Sequence, residues 1–225
     1  MTHNLPYKTE IKVLIFDFDG VIIDSMSVKV DEYKKLMSEF TNDEGKIDKI
    51  VQIYKNSIGI PRETTLKKVF KEVLSKNILT VEVDELSRKY SQRIFKRLES
   101  LKPLDGFLEY ITLHQQLKKH IISGAPNSDL IYFMDKLGIR NKFDSVKGGP
   151  LKKSEEIASL LRRDKVKNNE VVYFGDQKND FLAAEEARVQ FIGINANKNL
   201  FKGKCPVFAD FNELYGYEKN LGLLI

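Results

Sequence analysis

The stretch IKVLIFDFDGV, residues 11–21, decides how the rest of the chain is read. Its first half is a short, nearly continuous apolar run. A strand covered on both faces has that composition, because no side of it alternates with water-facing residues. The run then meets two carboxylates separated by one residue, Asp17 and Asp19. Period-two alternation puts both on one side if the strand continues, and Gly20 fits a turn that needs an unusual backbone angle. Like charges so close resist joint ionisation unless a positive charge faces them. A divalent cation supplies such a charge, and Mg2+ suits one or two carboxylates completed by water and phosphate oxygens. Taken alone, the pair is equally readable as two solvent-facing acids at a strand end.

Downstream, the order of elements sets the architecture. From Ser27 to Ser100, the segments SVKVDEYKKLMSEF, KIDKIVQIYKNS, RETTLKKVFKEVLSK and EVDELSRKYSQRIFKRLES carry apolar residues at helical spacing. Only ILTVEV is ambiguous between strand and helix. After Pro103 the pattern alternates. GFLEYITLHQQLKK reads as helix, HIISGA as strand, and SDLIYFMDKLG as helix with Gly138 at its C-cap. FDSVKGG reads as strand, SEEIASLLRR as helix, EVVYFGD as strand, DFLAAEEAR as helix and QFIGIN as strand, with PVFAD a final short strand. Strand–helix alternation implies a parallel sheet covered on both faces with right-handed crossovers, an α/β three-layer, Rossmann-like core. The helical block interrupts it, so the expected division is a core of residues 1–25 and 101–225 and a helical insert of residues 26–100.

Bulk properties bound the function classes. The 225 residues are 42% hydrophobic and 31% charged, an ordinary globular composition. No apolar run approaches the roughly 18 residues of a membrane span, and the first ten residues lack a signal peptide's apolar segment. The net charge of +5 comes from lysines mixed with acids, without the dense basic block of a nucleic-acid binder. Cys205 is the only cysteine, which excludes an internal disulfide and fits a reducing cytoplasm. A small anionic ligand, with no nucleic acid and no membrane, is the expected partner.

In an open parallel sheet, ligands bind at the carboxyl ends of the strands, and three further strand ends carry suitable residues. IISGAP offers the Ser123 hydroxyl and the Gly124 N–H, which can hold phosphate oxygens or simply form a strand-to-loop turn. GGPLKKSEEI places Lys152 and Lys153 at a helix start, where the helix dipole disfavours a cation. One of them can neutralise a phosphate, or both can be surface lysines. VVYFGDQKND puts Asp176 after an apolar strand and Asp180 one turn later, as a cation site or a helix cap.

Taken in order, these four stretches resemble the haloacid dehalogenase superfamily of phosphotransferases. DFDGV matches its first motif, Asp-x-Asp-Gly-[Thr/Val]. Ser123 matches the second, a lysine the third, and GDQKND the fourth, Gly-Asp-x-x-x-Asp. The helical insert is similar to the cap of phosphoglycolate-phosphatase-like and β-phosphoglucomutase-like members. The resemblance implies that Asp17 is the nucleophile forming an aspartyl-phosphate, and that Asp19 is the general acid/base with its backbone carbonyl in a Mg2+ shell. It implies that Ser123 and Gly124 bind the phosphoryl group, that Asp176 is a Mg2+ ligand, and that Asp180 is a ligand or a support. Spacing from Pro150 in similar members selects Lys153 over Lys152, although the doublet leaves the register open. An acid at Asp19 fits phosphate chemistry and sets aside carbon–halogen cleavage.

The cap stretch IGIPRETTLKKVF is similar to one in sugar-phosphate-handling members, where Gly59 would let a loop approach substrate and Arg62 would meet a second anionic group. The alternative is a helix begun by Pro61 with Arg62 solvated. Asp24 and Ser25 fit a hinge, Asn127 a helix N-cap, and His3, His114, His120 and Cys205 carry no catalytic part. The resemblance therefore implies a cytoplasmic, Mg2+-dependent phosphatase of a small phosphorylated metabolite, a monomer or weak homodimer. A phosphomutase would use the same core residues, and an inactive interaction or phosphate-binding module is a third reading.

Overall fold

All four residues of strand β1 (Val13–Phe16) are buried, and the sheet grows outward from it on both sides. In the computed structural model, which describes residues 10–57, 62–149, 152–201 and 203–220, β1 pairs in parallel with β2 (Lys118–Pro126) and with β4 (Val171–Gly175). The outer strands β3 (Ser145–Gly149), β5 (Gln190–Ile194) and β6 (Val207–Phe208) complete the order β3-β2-β1-β4-β5-β6. The chain thus builds one flank, then returns to the other side of β1. That reversal opens a crevice at the carboxyl ends of β1 and β4, where the pairings Phe16 with Ile121 and Phe16 with Phe174 bring three strand ends level.

Helices cover both faces. On one, α7 (Lys153–Asp164) and α8 (Lys178–Ala187) share a core with Val13, Ile15, Ile122, Val171 and Tyr173. On the other, Phe16 stacks on Phe174 at 4.8 Å between ring centroids and meets Phe107 and Phe211 at 5.7 and 6.1 Å. Those last two rings belong to α5 (Phe107–Leu113) and α9 (Phe211–Asn220). Helix α6 (Asn127–Lys136) packs on β2 and β3. The result is the expected three-layer α/β core.

Contacts divide the chain into two units, one of Met1–Asp24 with Lys102–Ile225 and one of Ser25–Leu101. The second contains α1 (Ser25–Met37), α2 (Glu44–Asn56), α3 (Arg62–Glu72) and α4 (Thr80–Leu98). Its centre holds Tyr33 stacked on Tyr54 at 4.3 Å, with Tyr90 edge-on to Tyr33 at 5.5 Å. The ambiguous ILTVEV is settled by a cap: Glu82 accepts the Leu79 N–H at 2.8 Å, so the helix starts at Thr80. Gly59, Pro61 and Pro150 lie outside the described residues. No helix among the described residues is long and apolar enough to cross a membrane.

One local expectation is corrected. Strand β1 does not continue to Asp19. The chain turns instead, with Gly20 at φ +82° and the Gly20 and Ile22 N–H groups donating to Ile23 O and Phe18 O at 2.8 and 2.9 Å. The place of Asp19 is therefore set by a turn and not by strand alternation. Strand β2, Lys118–Pro126, spans the expected HIISGA and runs one residue beyond it, through a register shift against β3, with Ser123 inside the strand.

Phe16 is fully buried between two helical layers, and truncating a buried phenylalanine costs about 3–5 kcal/mol. Phe16→Ala is expected to lower the unfolding free energy by that amount in a denaturant titration, whereas Leu182→Ala, at an exposed position on α8, is expected to change it by less than about 0.5 kcal/mol.

Candidate active site

Asp17 continues the alternation of Val13 and Ile15, which places its side chain on the α7/α8 face. Its N–H still follows the sheet and donates to Phe174 O at 2.9 Å. Its carboxylate is engaged on both oxygens: Oδ1 accepts the Phe18 N–H at 2.8 Å, and Oδ2 lies 3.1 Å from Lys153 Nζ. Lys153 is the first residue of α7 and also donates to Asp180 Oδ1 at 2.5 Å. Lys152 is the N-cap of α7, with extended backbone, and Lys153 is its first helical residue, so the lysine doublet divides. Lys152 turns outward to Glu186 at 2.7 Å and Glu155 at 3.6 Å. Of the two lysines, Lys153 reaches Asp17 and Asp180, and Lys152 does not.

Asp180, in the first turn of α8, caps the helix and joins the acid cluster. Its Oδ2 accepts the Gln177 N–H at 3.0 Å, which caps the helix, while Oδ1 receives Lys153 and the Tyr173 hydroxyl at 2.9 Å. Asp176, just past β4, accepts Gln177 Nε2 on Oδ2 at 2.5 Å. Its Oδ1 is buried without a hydrogen-bond partner among the described residues. Two glycines make room. A Cβ on Gly20 would run into the Asp176 carboxylate, at a φ that already disfavours side chains, and a Cβ on Gly175 would run into Asp180 Cβ.

Ligand atoms of Asp17, Asp176 and Asp180 lie within 4.8 Å of one another. Three buried acids face one lysine, and the electrostatics follow. Burial pushes the Asp17 carboxyl up to about 6; Lys153 opposes the shift, and Asp180 and Asp19 reinforce it. Burial, then Asp17 and Asp180, push Asp176 up to about 8 against the weaker pull of Gln177 and Lys153. Burial works against the charge on Lys153, but Asp17, Tyr173 and Asp180 outweigh it and hold its ammonium well above the usual range. A cluster of hard oxygen donors, short of positive charge and with one buried oxygen unpartnered, fits a divalent cation.

The remaining sequence candidates fall in different places. Asp19 is partly exposed, outside the cluster of ligand atoms, yet near enough to act on Asp17. Ser123 is buried two residues beyond Ile121, at the same end of the sheet as Asp17, and its Oγ accepts the Ala125 N–H at 3.3 Å. Gly124 is exposed, with open space where a side chain would be. Arg62 belongs to the helical unit. Its guanidinium donates to Ser87 O at 2.9 Å and to Ser91 Oγ, and lies 4.7 Å from the Tyr90 ring centroid, so it is docked on α4 and not simply solvated. Asn127 does not cap α6: Pro126 holds the N-cap position, and Asn127 Oδ1 accepts the Gly148 N–H at 3.0 Å, tying α6 to β3. His114 and His120 have local partners in Tyr110 O, Ser145 and Asp164, and Cys205 is buried with its thiol pushed up to about 12.

Sequence reasoning missed Tyr173 and Gln177. The signal for the first was a phenol in a strand otherwise free of polar groups, since a buried tyrosine hydroxyl requires a partner. Gln177 carried no comparable signal, because its role depends on where Asp176 points.

Comparison with known proteins is consistent across the chain. The model of a family described as haloacid dehalogenase-like hydrolase matches residues 14–194. A phosphoglycolate phosphatase of Photobacterium profundum is 24% identical over 203 residues, covering 84% of this chain and 85% of that protein. Two solved structures share the fold. One, a predicted phosphoglycolate phosphatase from Haemophilus somnus, aligns with a TM-score of 0.75 at 16% identity over 93% of this chain and 99% of its own. The other, a candidate β-phosphoglucomutase from Thermotoga maritima, aligns with a TM-score of 0.71 at 19% identity over 94% and 100%.

The raised acids make a pH signature. A carboxyl whose pKa is higher folded than unfolded holds an extra proton in the native state, so stability falls as pH rises through that interval. For Asp176 the interval reaches about 8, above the range of ordinary histidines. In chelator, the thermal midpoint is expected to drop by a few degrees between pH 6.5 and 8.5, about 1–2 kcal/mol for one group over that span. Asp176→Asn is expected to flatten the curve, and Mg2+ to restore the wild-type midpoint at pH 8.5. A wild-type midpoint that is level over this range in chelator contradicts the description of the cluster.

Proposed function

The chain belongs to the haloacid dehalogenase-like hydrolase family, and from that premise we propose that it is a Mg2+-dependent phosphatase. Its substrate is a small phosphorylated metabolite, a sugar phosphate or a phosphoglycolate-like acid. One observation carries the reading: Lys153 Nζ pairs with Asp17 and Asp180, two members of a buried acid cluster whose third, Asp176, keeps an unpartnered oxygen. That arrangement suits an anion with negative oxygens to neutralise and a carboxylate to attack it. The phosphoglycolate phosphatase that the chain resembles supports the choice of a phosphate ester.

In this reading, an Asp17 oxygen attacks phosphorus as the bond from phosphorus to the leaving oxygen breaks. Asp19 gives that oxygen its proton. Asp19 then takes a proton from water, whose oxygen attacks the aspartyl-phosphate, releasing phosphate and restoring Asp17. The Ser123 hydroxyl and the Gly124 N–H orient the phosphoryl oxygens, and Lys153 keeps Asp17 in its ionised, attacking form. Asp17, Asp176 and the Asp19 backbone carbonyl would hold Mg2+. Asp180, whose oxygens already receive Lys153, Tyr173 and Gln177, supports them. Bound Mg2+ supplies positive charge to the phosphate oxygens and to the acids. We assign recognition of the leaving group to the helical unit as a cap, with Arg62 holding α3 to α4 within it.

The test is phosphate release from a panel of phosphorylated sugars, short acids and nucleotides, with Mg2+ or with chelator. Release is expected only with Mg2+. Asp17→Asn is expected to abolish it, and Asp19→Asn to lower kcat by about 10²–10⁴-fold. Lys153→Ala is expected to lose most activity while Lys152→Ala stays near wild type. An Asp17→Asn protein as active as wild type would remove the nucleophile from the scheme. Isomer formation from a hexose phosphate in excess of phosphate release would move the protein to the mutases.

A further inference from the structure

We propose that Tyr173 is a positioning residue for the reaction: its hydroxyl fixes the Asp180 carboxylate and thereby sets where Lys153 meets Asp17. The proposal rests on the phosphatase reading above and deepens it. Tyr173 lies within β4, is fully buried, and faces the layer of α7 and α8. Its oxygen is 2.9 Å from Asp180 Oδ1 and 3.4 Å from Ile122 O. A phenol has one proton to donate, and the nearer, charged acceptor takes it. The same Asp180 oxygen receives Lys153 Nζ at 2.5 Å, and Lys153 Nζ is 3.1 Å from Asp17 Oδ2. The four groups form one chain from the sheet to the attacking carboxylate.

Each link in that chain needs the one before it. Lys153 ends a flexible stem and starts a helix whose dipole repels it, so neither its stem nor its helix fixes the ammonium. Asp180 does, but the backbone cap from Gln177 secures only Oδ2. The orientation of Oδ1 depends on Tyr173, whose ring also lies under the lysine, with Nζ 6.0 Å from its centroid. Without the hydroxyl, Oδ1 keeps only the mobile Lys153 as its partner, so the carboxylate can turn about its capped Oδ2 and take Lys153 with it, leaving Asp17 without its counter-charge. Phenylalanine keeps the ring and its packing, so the hydroxyl can be removed alone.

Tyr173→Phe is the test, read in three ways. Its kcat is expected to fall about tenfold or more, the scale of a hydrogen bond to a charged group. KM is expected to change less than about twofold, because substrate contacts are untouched. In a Lys153→Met background the same change is expected to add nothing to the residual loss, since Tyr173 acts only through the lysine. A crystal structure of Tyr173→Phe, which requires no turnover, is expected to show Lys153 Nζ beyond hydrogen-bond distance of Asp17. A wild-type kcat in the variant, a Lys153 that stays in place, or a variant that fails to fold overturns the proposal. Failure of the wild-type protein to release phosphate from any substrate sinks the phosphatase reading instead, and the crystal comparison still tests the positioning of Lys153.

Discussion

A single ammonium group, Lys153 Nζ, sits against two buried carboxylates of a cluster of three. Burial alone pushes such acids toward neutrality, and their mutual repulsion adds to it. In the proposed reaction an uncharged Asp17 is a poor nucleophile, so the lysine is a condition of that chemistry. It does not complete the neutralisation: Asp176 remains pushed up to about 8 with one oxygen unpartnered. The deficit has the size and location that a divalent cation would fill. The fit of the cluster to a divalent cation thus traces to one charge imbalance at the end of β1.

The sheet order makes that concentration of acids possible. Because the chain leaves β1 for β2 and later returns to β4 on the other side, Asp17 and Asp176 come from neighbouring strand ends, although 158 residues separate them in the chain. Their close approach then depends on absent side chains. Gly20 admits the Asp176 carboxylate, and Gly175 admits Asp180. The apolar rings of Phe16, Phe174, Phe107 and Phe211 on the opposite face anchor the same strands. Hydrophobic burial on one side thereby offsets the electrostatic cost on the other.

This division explains what was legible in the sequence. The strands, the helical block and the acids at the strand ends follow from local pattern: apolar runs, helical spacing, and charges where an apolar run stops. Features set by contacts between distant segments were not legible. Lys152 and Lys153 are alike in their own chemistry, and the point at which α7 begins, between the extended Lys152 and the helical Lys153, sends them in different directions. Asp19 was placed by strand alternation, but the turn through Gly20 governs it. Asn127 has the chemistry of a helix cap, yet the Gly148 N–H, 21 residues away, claims its oxygen. Tyr173 reads as one more core residue until Asp180 is brought beside it. Arg62 fits a substrate contact by resemblance, whereas α4 supplies it with acceptors and an aromatic face inside the helical unit.

The far end of α7 bears on the same constraint. A helix of 12 residues is a rod of about 18 Å, so the position of Lys153 depends on what holds the opposite terminus. There, Arg163 donates to Ser145 Oγ at 3.2 Å, Ser145 lies 2.8 Å from His120 Nδ1, and His120 Nε2 lies 2.9 Å from Asp164 Oδ2. A carboxylate only accepts, so the Nε2 proton points to Asp164 and Nδ1 accepts from the serine. Burial holds His120 below its usual range and keeps the ring neutral, as that pattern requires. The network joins the last turn of α7 to β2 and β3. The helix is therefore fixed at its base by a hydrogen-bonded network that runs through the neutral His120 ring, and at its tip by the pairing of Lys153 with the acids. Lys153 is delivered to Asp17 by a rod tied to the sheet at both ends, through β2 and β3 at its base and through the carboxylate that follows β1 at its tip.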